Sequence, residues 1–218
     1  MSELLTQILS GETIKIVFWS VVAYLYGALP YAYIATYLMK GKRLSEEGTG
    51  NIGVMSAFKV GGTGAGVITV CGEISKALVP IGIGRYFFAG TLPVTLLFVF
   101  LALVGISFSI FLKGKGGKGS TAAWNSLLIL SPYSFFILLF LWIGIFKLSK
   151  GNLVIKKIPL LFIPPVIYLV ERDWVFTLFG LLAGMLLYLN NYRRKDDFAY
   201  YKVFQQKSGM EDAGTLHP

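Results

Sequence analysis

Residues 90–112 read GTLPVTLLFVFLALVGISFSIFL, a run of 23 residues without one charged side chain. A helix that crosses a lipid bilayer needs about 20 consecutive, mostly apolar residues. Comparable apolar stretches occupy residues 14–39, 60–84 and 174–189. These stretches predict an all-α integral membrane protein.

The composition of the whole chain favours the same class. Of its 218 residues, 55% are hydrophobic and 14% are charged, whereas soluble domains contain about 25% charged residues. We expect one polytopic membrane domain over residues 1–202 and a polar C-terminal tail over residues 203–218. The apolar stretch 14–39 is too long for a signal-peptide core and no A-x-A-like cleavage site follows it, so we expect it in the mature protein.

The region from residue 119 to residue 170 is harder to divide, because Ser131, Pro132 and several lysines interrupt its apolar runs. A turn near Ser131 and Pro132 leaves only Lys15, Arg85 and Arg172 on one side of the membrane. The other side then holds sixteen basic residues: Lys40, Lys42, Arg43, Lys59, Lys113, Lys115, Lys118, Lys147, Lys150, Lys156, Lys157, Arg193, Arg194, Lys195, Lys202 and Lys207. By the positive-inside rule, this predicts about seven transmembrane or half-membrane helices, with the N-terminus outside and the C-terminus cytoplasmic.

One of these elements is too short to cross the membrane. Residues 119–130 would form roughly 18 Å of helix, against a hydrocarbon core of about 30 Å. A broken helix at membrane depth is tolerated only where it is buried in protein or lines a cavity. The half-helix therefore predicts a nearby site.

Charge, cysteine and histidine exclude several classes of function. A net charge of +9 would suggest nucleic acid in a soluble chain, but here topology and anionic lipid explain most of it, so no nucleic-acid partner is predicted. Cys71 is alone and His217 is the only histidine, next to the last residue. A disulfide, a cysteine or histidine metal centre and a Ser-His triad are therefore not expected, and no cofactor is predicted.

Two segments share the spacing G-x-G-x-x-G: residues 48–53 (GTGNIG) and residues 114–119 (GKGGKG). Both follow membrane helices instead of strands, so the dinucleotide-binding fingerprint does not apply. Lys118 is followed by Gly119 and not by Ser or Thr, so the second segment is no Walker A loop. Glycines still let backbone N–H groups approach a ligand, and a helix start beyond them adds unpaired donors.

The two glycine loops therefore predict a phosphate site. The second loop adds Lys113, Lys115 and Lys118, and both loops lie on the cytoplasmic side of the predicted topology. The alternative is that these glycines only form turns at membrane boundaries, where lysines determine topology.

Glu73 and Lys76 stand three residues apart inside the second apolar stretch, on one face of a helix. Charges within a membrane span are costly and usually paired. Either the pair is purely structural, or Glu73 orients a loop or a basic residue at the site.

Four patterns occur in a characteristic order. Residues 27–33 (GALPYAY) are similar to G-S-I-P-[FT]-[AG]-Y, and residues 48–59 (GTGNIGVMSAFK) to G-S-G-N-x-G-x-T-N-x-x-R. Residues 73–77 (EISKA) are similar to D-x-x-K-G, and residues 115–119 read KGGKG. In this order, over about residues 27–199, the chain resembles the bacterial acyl-phosphate-dependent glycerol-3-phosphate acyltransferases of the PlsY type.

The resemblance implies seven membrane helices in the bacterial cytoplasmic membrane, with an active site that faces the cytoplasm. It implies transfer of an acyl group from acyl phosphate to the 1-hydroxyl of glycerol 3-phosphate, the first step of phospholipid synthesis. The product would be lysophosphatidic acid, made without a metal or an acyl-enzyme intermediate. Implied partners are both substrates, membrane lipids and the soluble enzyme that forms acyl phosphate.

The resemblance also assigns roles to residues. Lys118, with backbone donors of Gly116, Gly117 and Gly119, would bind a substrate phosphate. Thr49 and Asn51 would position the acyl phosphate or the attacking hydroxyl, and Lys59 would neutralise the second phosphate. The remaining substrate-binding residues would be Gly48, Gly50, Gly53 and Lys115, supported by Glu73 and Lys76.

The chain departs from the family patterns at several positions. Thr49 replaces Ser, Met55 and Ser56 replace Thr-Asn, Lys59 replaces Arg, and Glu73 replaces Asp. A third family pattern, H-R-E-N-I-x-R-L, has its nearest counterpart in residues 194–198 (RKDDF), which carry neither His nor Asn. A phosphate or lipid-phosphate transporter and an inactive paralogue therefore stand as alternatives.

Overall fold

The computed structural model describes residues 11–148, 160–193 and Tyr200. In these ranges the regular structure is helical and contains no strand. The principal helices are α1 (Gly11–Ala28), α2 (Tyr31–Lys40), α3 (Gly62–Phe87), α4 (Leu92–Ser107), α5 (Ser120–Leu130), α6 (Pro132–Leu148), α7 (Ile163–Glu171) and α8 (Trp174–Arg193). Short helical turns at Val54–Ser56, Ala57–Gly61 and Ile110–Leu112 adjoin α3 and α4. The all-helical prediction is confirmed for these residues.

Several residues named from the sequence lie outside the described ranges. They are the tail 203–218 with His217, the segment 194–198, and Lys150, Lys156, Lys157, Lys202 and Lys207. The number of crossings and the side on which each terminus lies stay predictions.

Three helical segments are long and apolar enough to cross a membrane. They are Gly11–Lys40, Val54–Phe87 and Leu92–Leu112, with 30, 34 and 21 residues. Shorter apolar helices occupy Pro132–Leu148, Leu160–Glu171 and Trp174–Asn190. Length and apolar composition therefore agree with an integral membrane protein.

Prolines interrupt the helices at two points. The break predicted near Ser131 and Pro132 lies between α5 and α6. A second break, at Leu29 and Pro30, divides the apolar stretch 14–39, which the sequence indicated as one span, into α1 and α2. Proline has no N–H to donate and disfavours a helical conformation in the residue before it, so α1 ends at Ala28.

Glycines bring α1 and α4 into backbone contact. A Cβ atom on Gly27 would lie 2.1 Å from the Ala102 carbonyl oxygen, and one on Gly105 would lie 2.2 Å from the Tyr24 carbonyl oxygen. Lipid tails are as apolar as side chains, so membrane helices associate largely through close packing of small residues. This contact fixes the end of α4, from which the second glycine loop departs.

We expect Gly27→Ala and Gly105→Ala to lower the thermal unfolding temperature of the detergent-solubilised protein, because each added methyl group overlaps a backbone carbonyl. Overpacking of this kind costs about 1–3 kcal/mol. Gly82→Ala and Gly144→Ala are matched controls, since a Cβ atom there meets nothing within 4 Å. Unchanged unfolding of Gly105→Ala would contradict the α1–α4 contact.

Candidate functional site

The two glycine loops meet at one cavity of about 510 Å³. Its wall is formed by residues 51–55, 58–59 and 117–121, together with Glu73 from α3. The first loop is thus brought against the second, more than 60 residues later in the chain. Gly53, Gly117 and Gly119, which the sequence assigned to substrate binding, lie in this wall, and their role stays a prediction.

The backbones of the loops touch at Gly117. A Cβ atom on Gly117 would lie 2.8 Å from the Ile52 carbonyl oxygen, and one on Gly116 would lie 1.9 Å from the Ile106 carbonyl oxygen. Neither glycine has a positive φ angle, so close approach, and not a special conformation, requires glycine here.

One predicted phosphate donor is already occupied. The Gly117 N–H donates to the Ile106 carbonyl at 2.7 Å, so the expectation that it faces a substrate phosphate is wrong. Gly119, with φ +76°, ends the loop and is followed directly by α5. No side chain caps the start of α5, and its first residues, Ser120 and Thr121, line the cavity. The start of this helix therefore offers amide donors and a positive dipole end to an anion.

Two lysines from different parts of the chain line the cavity. Lys118 is half-buried and follows Gly117, whereas Lys59 is exposed on the π-helical turn Ala57–Gly61. Two ammonium groups beside a helix start favour an anionic ligand. Lys115, which the sequence assigned to substrate binding, is exposed and lies outside the cavity wall.

The first loop presents Asn51 to the cavity. Asn51 is buried, and its backbone N–H donates to the Thr49 hydroxyl oxygen at 3.3 Å. Thr49, Gly48 and Gly50 do not line the cavity. Gly48 and Gly50 have φ angles of +57° and +70°, so these two glycines shape the turn that presents Asn51.

Glu73 reaches the cavity as part of a buried ion pair. Its carboxylate accepts a hydrogen bond from the Lys76 ammonium at 2.8 Å, and the two residues are 8% and 4% exposed. The Lys76 ammonium also lies 5.3 Å from the centre of the Tyr31 ring. Lys76 thus compensates a carboxylate that would otherwise repel an anion in the cavity.

The cavity is apolar on its remaining side. Ile52, Val54, Met55 and Phe58 line it, and Met55 and Phe58 are 38% and 39% exposed at the protein surface. A ligand with an anionic head and an apolar tail matches these two walls. Within the described ranges, no three His, Cys, Asp or Glu side chains lie close enough together to bind a metal ion.

The sequence did not single out Asn190 or Ser107. Asn190, near the end of α8, is buried, and its Nδ2 donates to the Ser107 hydroxyl at 2.6 Å and lies 3.5 Å from the Lys118 carbonyl oxygen. A sequence signal exists: the third family pattern fits residues 188–195 (YLNNYRRK) better than residues 194–198. In that register Asn191 and Arg194 match the pattern, and Tyr188 and Asn190 replace its His and Glu.

Comparison with known proteins shows which family the chain resembles. Residues 17–199 match the family described as glycerol-3-phosphate acyltransferase. The chain is 27% identical to the glycerol-3-phosphate acyltransferase of Syntrophomonas wolfei subsp. wolfei, over 77% of this chain and 85% of that protein. It is 26% identical to the enzyme of the same name from Carboxydothermus hydrogenoformans, over 90% of this chain and 95% of that protein.

Two solved structures share the fold. One is the glycerol 3-phosphate form of PlsY, an integral membrane glycerol 3-phosphate acyltransferase, with a TM-score of 0.70 and 21% identity. The match covers 82% of this chain and 88% of that one. The other is the lysophosphatidic acid form, with a TM-score of 0.66 and 19% identity over 80% and 87% of the two chains.

We expect Lys76→Met to lower the free energy of unfolding by about 3–5 kcal/mol, because it leaves the Glu73 carboxylate buried without its partner. The double variant Glu73→Gln, Lys76→Met should recover much of that loss, since neither charge remains. Unfolding in detergent measures both effects. A Lys76→Met variant as stable as the parent would contradict the buried pair.

Proposed function

Since the chain belongs to the glycerol-3-phosphate acyltransferase family, we propose that it transfers a fatty acyl group from an acyl phosphate to the 1-hydroxyl of glycerol 3-phosphate. The product is lysophosphatidic acid. One observation carries the proposal: a single cavity joins Lys59, Lys118 and the start of α5 to an apolar wall. Both substrates carry a phosphate. The acceptor adds a reacting hydroxyl, and the donor adds a reacting carbonyl and an acyl chain.

Lys118 and the amide groups at the start of α5 bind one phosphate. Lys59, which lines the same cavity, binds the second. Asn51 is held by its own turn in the cavity wall, so its side-chain amide orients the acyl phosphate or the attacking hydroxyl. Thr49 acts through Asn51, because its hydroxyl oxygen accepts the Asn51 N–H.

The reaction needs no nucleophile from the protein. An acyl phosphate is already activated, so placing the two substrates together supplies much of the rate enhancement. The 1-hydroxyl oxygen attacks the acyl carbonyl carbon, the bond from that carbon to the phosphate oxygen breaks, and inorganic phosphate leaves. A substrate phosphate accepts the hydroxyl proton. Lys118 and the nearby donors stabilise the charge that develops on the oxygens.

The acyl chain lies against Val54, Met55 and Phe58, whose partly exposed side chains connect the cavity with the membrane. The surrounding membrane is the bacterial cytoplasmic membrane, and the cavity faces the cytoplasm. The positive-inside distribution of lysine and arginine supports this orientation. Anionic lipid and the soluble enzyme that forms acyl phosphate are the partners of that basic face.

Transport of a phosphate or lipid phosphate is the second candidate. The helix breaks at Pro30 and Pro132 favour it, because transporters often bind their substrates at broken helices. Uptake of labelled glycerol 3-phosphate into proteoliposomes, without formation of lysophosphatidic acid, would support transport and contradict acyl transfer. An inactive paralogue would show neither.

We expect Lys118→Ala to reduce acyl transfer from acyl phosphate to labelled glycerol 3-phosphate by at least about a hundredfold, because an ammonium group that contacts the reacting phosphate is lost. Lys147→Ala is the control, since Lys147 lies at the end of α6 away from the cavity. Equal activity of the two variants would remove the phosphate role of Lys118.

We expect Lys59→Ala to raise the KM for glycerol 3-phosphate about tenfold or more, as a charge-assisted hydrogen bond disappears. Lys59→Arg should keep or lower the KM, because a guanidinium can grip a phosphate with two parallel bonds. Lys40→Ala is the control for loss of a surface charge, as Lys40 lies outside the cavity wall. A parental KM in Lys59→Ala would place the acceptor phosphate elsewhere.

A further inference from the structure

A buried amide on α8 lies against the loop that carries Lys118. Asn190 is 3% exposed, and its Nδ2 donates to the Ser107 hydroxyl oxygen at 2.6 Å and lies 3.5 Å from the Lys118 carbonyl oxygen. Asn190 itself does not line the cavity. It therefore acts on the site only through other groups.

The direction of these hydrogen bonds is fixed by Ser107. The Ser107 hydroxyl donates its only hydrogen to the Leu103 carbonyl at 2.7 Å, within α4. Its oxygen must therefore accept from Asn190, which has to supply an N–H. A carboxylate of the same shape could not do so.

The loop is also restrained on both sides of Lys118. Before it, the Gly117 N–H donates to the Ile106 carbonyl at 2.7 Å. After it, Gly119 has φ +76°, and α5 begins. The Lys118 carbonyl lies next to the Asn190 amide, which links this peptide to α8 by a hydrogen bond. Loss of the amide would free the peptide that directs the lysine side chain.

We propose that Asn190 is a positioning residue: through Ser107 and the Lys118 carbonyl, its amide holds the Lys118 ammonium where a substrate phosphate binds. This inference rests on the proposed function. It adds α8 to a site whose wall is formed by the two loops, α3 and the start of α5.

The test compares Asn190→Asp, which keeps the shape but removes the donor, with Ser107→Ala, which removes the acceptor. Ser126→Ala is the matched control, because the Ser126 hydroxyl is equally buried and donates to the Ala122 carbonyl of its own helix at 2.9 Å. Two quantities are measured for each variant. They are the KM for glycerol 3-phosphate and the dissociation constant of inorganic phosphate, obtained from ligand-dependent thermal stabilisation.

We expect both constants to rise about tenfold in Asn190→Asp and in Ser107→Ala, and to stay unchanged in Ser126→Ala. The double variant should lose no more affinity than Asn190→Asp alone, because Ser107→Ala removes an interaction that Asn190→Asp already removes. A merely structural role would lower the unfolding temperature without ligand and leave both constants unchanged in the folded protein.

Phosphate binding separates this proposal from the proposed function. If the parent protein binds phosphate but does not transfer acyl groups, a larger dissociation constant for phosphate in the variants still supports the role of Asn190. Parental constants in both variants, or an equal rise in Ser126→Ala, would overturn it. Should Asn190→Asp fail to fold, Ser107→Ala alone decides by the same criteria.

Discussion

The backbone contact between Gly117 and the Ile52 carbonyl is the constraint on which the site depends. Two loops from distant parts of the chain can line one cavity only if no side chain separates them at this point. Gly116 lets the second loop pass even closer to the end of α4, and Gly27 and Gly105 pack α4 against α1. A series of backbone contacts through glycine thus extends from α1 to the second glycine loop, as expected where lipid cannot drive helices together.

Charge is distributed unevenly over this frame. Most basic residues of the predicted cytoplasmic side need only to fix topology and attract anionic lipid. Lys59 and Lys118 differ because they line a cavity in which the Glu73 carboxylate is already paired with Lys76. The ion pair therefore supports the proposed phosphate site, because Lys76 compensates the carboxylate that would otherwise repel an anion.

Local patterns in the sequence predicted most of the frame. Apolar runs predicted α3, α4 and α8, and Pro132 predicted the break after α5. The two glycine loops line one cavity, whose preference for phosphate stays a prediction. The break at Pro30 was missed because apolar residues flank it on both sides, so hydropathy alone reads one long helix. The occupied Gly117 amide, the outward position of Lys115 and the Asn190 contact depend on how α4 and α8 pack, which spacing along the chain does not encode.

The start of α5 has backbone N–H groups without helical partners. A helix that begins inside a membrane protein leaves its first N–H groups without helical partners, which is costly in an apolar surrounding. Here those groups face a cavity lined by two lysines, and no side chain caps them. An anion in the cavity satisfies the donors and the ammonium groups together. The uncapped backbone groups at the start of α5 therefore support the proposed phosphate site together with the two lysines.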